Sequence, residues 1–433
     1  MKVRGASSGL RGVTQVPGDK SISHRAVMLG ALAEGETTIT GFLAGEDCLA
    51  TIACFRAMGV TIIRQDSTVQ VQGAGLRGLR QPKQALYVGN SGTTIRLLLG
   101  ILAGQAFSSV IDGDSSIQKR PMARVAQPLR LMGACINGDR DLAPLMVSPA
   151  DNLTGIAYRL PVASAQVKSS LLLAGLYAKG VTSVTEPAPS RDHTEIMLEA
   201  FGVTVKRQGL TASVEGPAAA LQARTIAVPG DISSAAFLLV AALIIPNSEV
   251  IIRQVGINPT RSGIIEVLQA MGGNIEVQQQ DNKLAEPVAD IIVRSSKLRG
   301  VTVAGDIIPR LIDEIPAIAI AAAFAEGKTV IRDAAELKVK ESNRIASIVQ
   351  GLTAMGGDAG ELDDGLFIHG SKPLRGTEIS SRGDHRIAMA FAVAGLAAAG
   401  ETTIGDEDCI AVSFPGFAKI LRQLGANVQM DRE

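Results

Sequence analysis

The chain has no tryptophan, only three tyrosines, four cysteines and four histidines in 433 residues, and no excess of either charge, with 42 Lys plus Arg against 42 Asp plus Glu. Each shortage excludes something. So few aromatics leave no platform on which the bases of a single strand could stack. A neutral balance supplies no basic stripe for a nucleic-acid surface. Cys48, Cys54, Cys135 and Cys409 contain no C-x-x-C, and four thiols in so long a chain make no disulfide framework. His24, His193, His369 and His385 lack the paired spacing of a metal site. The longest apolar run, Ile387 to Gly400, is closed by Arg386 and Glu401 and falls short of the roughly 18 residues a membrane span needs. Met1-Lys2-Val3-Arg4-Gly5 lacks the apolar stretch of a signal peptide. A cytoplasmic protein with no metal and no cofactor is expected. Its partners should be small molecules or copies of itself rather than nucleic acid or membrane, with a monomer the expected state.

What the chain does have is an internal repeat. An apolar residue, two more, then an apolar residue and Gly recur six times: Phe55 to Gly59, Leu129 to Gly133, Leu198 to Gly202, Leu268 to Gly272, Leu352 to Gly356 and Leu421 to Gly425. The glycines lie 74, 69, 70, 84 and 69 residues apart. Each suits the left-handed residue just past a helix end, and runs such as Val60-Thr61-Ile62-Ile63 continue as strands. A second ladder keeps step with the first. Ala-rich helical stretches turn into strands at Gly35, Gly180, Asn247, Gly327 and Gly400, with a weaker copy near Ser108-Ser109-Val110-Ile111. Each unit of about 70 residues holds two helices and several strands, larger than the 20–45 residues of a solenoid repeat.

Val16-Pro17-Gly18-Asp19 recurs as Val228-Pro229-Gly230-Asp231, each time before a helical run. Pro-Gly marks turns, and two such turns half a chain apart suggest two crossovers between domains. The expected division is 17–230 as one domain and 1–16 with 231–433 as the other, three repeats in each.

Cations gather where helices begin. Lys20 and Arg25 flank a start near Ser21; Arg96 follows Asn90-Ser91-Gly92-Thr93-Thr94; Lys168 follows Ser164-Ala165-Gln166; Arg386 follows Asp384-His385. Lys338, Lys340, Glu341 and Arg344 form another group. A cation at a helix N-terminus opposes the dipole by about 0.3–1 kcal/mol, whereas an anion is favoured there. One such group is most simply a solvated face or a surface ion pair of little worth. Five at equivalent positions of one repeat point to an anion-binding cleft. Gly92 is either a turn glycine or a close approach of backbone to ligand. Asp313, before Pro316 and the apolar stretch Ala317 to Ala325, is either an N-cap or a general base, with Glu341 a candidate acid.

On Gly18-Asp19-Lys20-Ser21-Ile22-Ser23-His24-Arg25, Gly89-Asn90-Ser91-Gly92-Thr93-Thr94, Lys119-Arg120-Pro121-Met122, Val339-Lys340-Glu341-Ser342-Asn343-Arg344 and Asp384-His385-Arg386, nearly end to end, the chain resembles the enolpyruvyl transferases, specifically the branch acting on shikimate 3-phosphate. The resemblance implies an α/β fold of two domains, each of three βαβαββ repeats arranged as an inside-out α/β barrel, with the active site in the cleft between them. It implies that Lys20, Ser21, Arg25, Ser164, Ala165, Gln166, Arg191, Asp313 and Lys340 hold shikimate 3-phosphate. It likewise implies that Lys20, Gly92, Arg120, Gln166, Arg344 and Arg386 hold phosphoenolpyruvate. Asp313, Glu341 and Lys20 would be catalytic.

Two departures stand out. Many family members place a Lys where Val412 stands, before Phe414-Pro415. Ser164 to Lys168, Arg191-Asp192-His193-Thr194-Glu195 and Asn258-Pro259-Thr260-Arg261 resemble a subclass often less sensitive to glyphosate, yet Gly92 keeps the small residue of sensitive enzymes. The nearest rival acceptor is UDP-N-acetylglucosamine. Enzymes of that branch typically carry a reactive Cys where Ser115-Ser116-Ile117-Gln118 stands here. Cys135, at a strand entry, is expected to be a buried, inert thiol. A second rival is a non-catalytic anion-binding protein on the same scaffold, which needs the cations but neither Asp313 nor Glu341.

Overall fold

The structure is a computed structural model and describes residues 1–6, 8–280 and 286–430. Among the described residues twelve α-helices carry the framework: α1 (Lys20–Leu32), α2 (Glu46–Ala57), α3 (Gly92–Leu102), α4 (Ala123–Leu131), α5 (Ala165–Gly175), α6 (His193–Ala200), α7 (Ile232–Ile244), α8 (Gly263–Ala270), α9 (Ile315–Ala323), α10 (Arg344–Ala354), α11 (His385–Ala397) and α12 (Phe417–Gln423). The described residues fall into two compact units, 1–6, 8–17, 229–280 and 287–430 in one and 18–228 with Glu286 in the other.

Each unit is built from three copies of one motif, and each copy makes its own small sheet. In the second copy Leu86–Tyr87 runs parallel to Ser109–Asp112, then Leu145–Ser148 and Cys135–Asn137 follow antiparallel. With α3 and α4 in between, the order is β-α-β-α-β-β. The parallel pair needs a helical crossover and the last pair only a hairpin, so this order follows from the connections available. The copies starting at Ala157 and Thr302 repeat it. The remaining copies borrow strands across the sequence. Leu221–Gln222 and Thr225–Ala227 pair with Ala33–Thr40, Arg11–Gln15 pairs with Glu249–Gly256, and Lys2–Arg4 sits between Glu401–Gly405 and Asn427–Gln429.

All six glycines of the first ladder have φ between 87° and 100°. A Cβ resists that conformation, and each of these glycines ends a helix. Asn247 stands in the second ladder at φ 61°, since Asn is among the few other residues that enter this region cheaply. Within each unit three helices are buried along nearly their whole length: α1, α3 and α5 in one, α7, α9 and α11 in the other. The sheets enclose them; α7 and α9 are apolar nearly all round, whereas α1 and α5 bury His24, Arg25 and Lys168 among their apolar residues. A Cβ on Gly100 of α3 would run into the Ser170 carbonyl of α5, so that glycine sets how closely the two helices pack.

Cys135 departs from expectation. It is exposed, because Cys135–Asn137 is an edge strand of alternating burial and Cys135 falls on the outward phase.

Candidate active site

In the Gly18–Val228 unit the starts of α1, α3 and α5 carry the candidates. Asp19 caps α1, its carboxylate accepting from Ile22 N at 2.9 Å, so the helix begins at Lys20, one residue earlier than the sequence suggests. Lys20 Nζ is paired with Asp47, in the first turn of α2. Arg25 is 4% exposed. Its three nitrogens donate to Thr194 Oγ1 at 2.6 Å, Ser21 O at 3.0 Å and Ser169 Oγ at 2.9 Å, all uncharged groups. Burial pulls its pKa down to about 10, so the guanidinium stays charged.

Ser91 caps α3 and Ser164 caps α5, accepting from Thr94 N and Val167 N. Gln166 ties the two helix starts together, accepting from Arg96 Nη1 at 2.6 Å and donating to Thr93 Oγ1 at 3.0 Å. Gly92 is the first residue of α3, not a left-handed turn residue. A Cβ there would sit 2.8 Å from Arg96 Nη1 and 3.2 Å from Arg120 Nη1. Arg120 donates to Asn90 Oδ1 at 2.7 Å. Behind this face His24 Nδ1, Thr51, Thr94 and Ser91 form a buried chain of contacts of 2.6–2.7 Å. Burial lowers the His24 pKa to about 3 and keeps the ring neutral. Lys168 is buried like Arg25, at 3% exposed, but it is paired inward with two carboxylates, Glu186 and Glu195. The charge of Arg191 lowers the Arg25 pKa, so the two lie close.

In the other unit Arg344 is the centre. It is 1% exposed and meets Glu341 at 2.6 Å, Asp384 at 2.8 Å and Asp313 at 3.3 Å. Burial lowers its pKa, but the three carboxylates outweigh that and raise it above the ordinary arginine value. Burial likewise pushes Asp384 up, and Arg344 more than reverses it, holding Asp384 below the usual carboxylate range. Asn343 caps α10 and Arg344 is its first residue, so Lys340 and Glu341 reach the cluster from the preceding turn rather than from a shared helix face. Asp313 lies in a short 3-10 turn before α9. The cap position of α9 belongs to Glu314, which makes no capping bond. The N-cap reading of Asp313 therefore fails. Its carboxylate lies 3.4 Å from Lys340 Nζ, and its carbonyl accepts from Arg386 at 2.9 Å.

Sequence reasoning missed Asp47, Arg96's tie to Gln166, Ser169, Thr194, Asp384 and Glu314, which lies 3.6 Å from Arg386, as working parts. The motif Asp384-His385-Arg386 held a local signal, since Asp384 caps α11; its grip on Arg344 is non-local. Among the described residues no group of His, Cys, Asp and Glu could hold a metal ion, and no helix is long and apolar enough to cross a membrane.

Residues 5–421 match the family described as EPSP synthase (3-phosphoshikimate 1-carboxyvinyltransferase). A 3-phosphoshikimate 1-carboxyvinyltransferase of Brevibacillus brevis is 59% identical over 414 residues, covering 95% of this chain and 97% of that one. The EPSP synthase of Acinetobacter baumannii superposes with a TM-score of 0.90 at 48% identity, covering 99% and 98% of the two chains. The enolpyruvyl transferase NikO of Streptomyces tendae shares the fold, with a TM-score of 0.80 at 19% identity over 99% and 98%. With the helix-start cations, the Asp313 cluster and six βαβαββ copies all in place, and a match that runs nearly end to end, the chain belongs to the EPSP synthase family.

Proposed function

We propose that this chain transfers the enolpyruvyl group of phosphoenolpyruvate to the 5-hydroxyl of shikimate 3-phosphate and releases phosphate, a step of aromatic amino-acid biosynthesis. The observation that carries the chemistry is the setting of Asp313. It caps no helix and holds its carboxylate beside Lys340 and Arg344. Anion binding alone needs only the cations; a carboxylate among them is of use where a hydroxyl must lose a proton beside bound anions.

In this reading Lys20, Ser21, Arg25, Ser164, Ala165, Gln166, Arg191, Asp313 and Lys340 hold shikimate 3-phosphate. Lys20, Gly92, Arg120, Gln166, Arg344 and Arg386 hold phosphoenolpyruvate. Glu341, with Lys20 supporting the charge, delivers a proton to C3 of phosphoenolpyruvate, which makes C2 electrophilic. Asp313 takes the proton of the 5-hydroxyl as its oxygen bonds to C2. The tetrahedral adduct then returns a methyl proton to Glu341, now a carboxylate, while the bond from C2 to the phosphate oxygen breaks, and phosphate departs with the electron pair. Fixing both substrates supplies orientation. The division into domain 17–230 and the domain of 1–16 with 231–433 is part of the same proposal, and the two compact units support it. A cytoplasmic monomer, needing no cofactor, completes the proposal.

The test is Asp313→Asn. Turnover should fall by about a hundredfold or more, the scale of a lost general base, with shikimate 3-phosphate binding and thermal stability kept. A variant that loses stability and keeps its rate would make Asp313 structural. The wild type should form product with shikimate 3-phosphate and none with UDP-N-acetylglucosamine.

A further inference from the structure

We propose that Lys168 is a positioning residue for the phosphate end of shikimate 3-phosphate: through Glu186 and Glu195 it pins both ends of the segment that carries Arg191. The inference rests on the reading of Arg25 and Arg191 given above.

Residues 187–192 form neither helix nor strand. Pro187 and Pro189 lack the N–H groups by which backbone could be tied down. Side chains do the tying. Glu186 stands just past the strand Gly180–Thr185, its own N–H donating to Leu210 O at 2.9 Å. Glu195 stands in the first turn of α6. Lys168 Nζ lies 2.6 Å from Glu186 Oε2 and 2.8 Å from Glu195 Oε1, and all three side chains are at most 5% exposed. Ser190, immediately before Arg191, donates its hydroxyl to the other oxygen of Glu186. Next to Glu195, Thr194 accepts from Arg25 and contacts Ser169 Oγ at 2.6 Å. One turn earlier on α5 stand Ser164, Ala165 and Gln166. Lys168 is thus the post to which the Arg191 segment, the Arg25 hydroxyl partners and the start of α5 are all referred.

The charges agree with this role. One lysine between two carboxylates leaves a negative charge over, behind two guanidiniums. Burial depresses the Arg25 pKa and Arg191 depresses it further, while Glu195 raises it. A buried ion pair that only held the core together would have no reason to end on both sides of the segment that carries Arg191.

The experiment measures the Michaelis constants for both substrates in Arg191→Ala, Glu186→Gln, Lys168→Met and the double variant Glu186→Gln/Arg191→Ala, with thermal unfolding to confirm folding. Glu186→Gln keeps Lys168 paired with Glu195, so it carries the test by itself should Lys168→Met not fold. The expected result is a rise of about tenfold in the shikimate 3-phosphate constant for Arg191→Ala and for Glu186→Gln. The phosphoenolpyruvate constant should stay within about twofold of wild type. The double variant should be no worse than Arg191→Ala, because the brace has nothing left to position. If Arg191→Ala raises that constant while Glu186→Gln leaves it unchanged, or the two effects simply add, the positioning role is overturned and the reading of Arg191 stands. If Arg191→Ala changes nothing, that reading falls and the positioning role falls with it.

Discussion

Helix α1 follows Val16-Pro17-Gly18-Asp19 and helix α7 follows Val228-Pro229-Gly230-Asp231, and in each the Asp side chain caps the helix, accepting from Ile22 N at 2.9 Å and from Ser233 N at 2.8 Å. Counted from the cap, Lys20, His24 and Arg25 of α1 correspond to Ile232, Ala236 and Phe237 of α7. Phe237 is 1% exposed and meets Phe417 edge to face at 6.4 Å; Arg25 is nearly as buried but meets hydroxyls and a carbonyl. The same frame therefore tolerates either an apolar or a cationic helix in its core. The cap, the helix-ending glycine and the sheet order belong to the fold, and the cations of α1 belong to what is done with it.

A second contrast sharpens the first. Arg344 is as buried as Arg25 but is surrounded by three carboxylates instead of hydroxyls. The same substitution at the two sites should give opposite results. Arg344→Met leaves Asp384, which is 0% exposed, without its main counter-charge, and breaking a buried pair from one side costs about 3–5 kcal/mol. Urea unfolding should show that loss; a midpoint equal to wild type would break the comparison. Arg25→Met should leave the urea midpoint nearly unchanged, because Ser169 and Thr194 still bond each other and α7 already houses Phe at this place. Its effect should appear in the shikimate 3-phosphate Michaelis constant, as a rise of about thirtyfold or more, the scale for truncating one partner of a desolvated charge pair. A large stability loss with normal kinetics would make Arg25 part of the frame.

His24 tests the same contrast by pH. Its folded pKa of about 3 lies below the unfolded value near 6.5, so between those values the unfolded chain binds the proton more readily and stability falls as pH falls. Above 6.5 neither state is protonated and the contribution is complete. One group with this shift costs about 2 kcal/mol between pH 7 and pH 5. His24→Asn should remove that part of the slope, and the difference between the two urea-midpoint profiles isolates it from the carboxylates. Parallel profiles would mean that His24 is protonated within the fold.

The repeat was the most legible feature, because a helix that ends on a left-handed glycine is written in five adjacent residues; Gly59, Gly133, Gly202, Gly272, Gly356 and Gly425 all have positive φ. The strands Leu221–Gln222 and Thr225–Ala227 that complete the first copy were invisible, since their partner Ala33–Thr40 lies far back in the chain and nothing local marks the pairing. The site divides along the same line. Helix starts announce themselves by their caps, so the places of Lys20, Gly92, Gln166 and Arg386 could be found. What a cation pairs with is decided by packing: Lys168 looked like one more helix-start cation and turns inward to two glutamates. Cys135 was misplaced because burial of a strand residue depends on phase, and a strand of three residues is too short to show one.

The smallest expected effect concerns Gly92, where the cationic helix starts come close to a single backbone position. A methyl group added there would lie 2.8 Å from Arg96 Nη1 and 3.2 Å from Arg120 Nη1. Gly92 has helical φ, so Gly92→Ala meets no backbone strain, and the atoms it presses on are the far ends of flexible side chains. Both can shift by a few tenths of an ångström, which places the penalty at the low end of the overpacking range, about 1 kcal/mol or about fivefold in affinity. In the proposed reading Arg120 holds phosphoenolpyruvate, so the shift is felt there. Glyphosate also carries a carboxylate and a phosphorus-centred anion but is longer between them, and a longer ligand has less slack to follow a displaced guanidinium. Gly92→Ala should therefore raise the glyphosate inhibition constant by about fivefold more than it raises the phosphoenolpyruvate Michaelis constant, both measured at saturating shikimate 3-phosphate. An unchanged ratio of the two constants would show that the methyl group is absorbed by Arg96 alone, and that Arg120 is not the group through which this helix start reads the smaller anion.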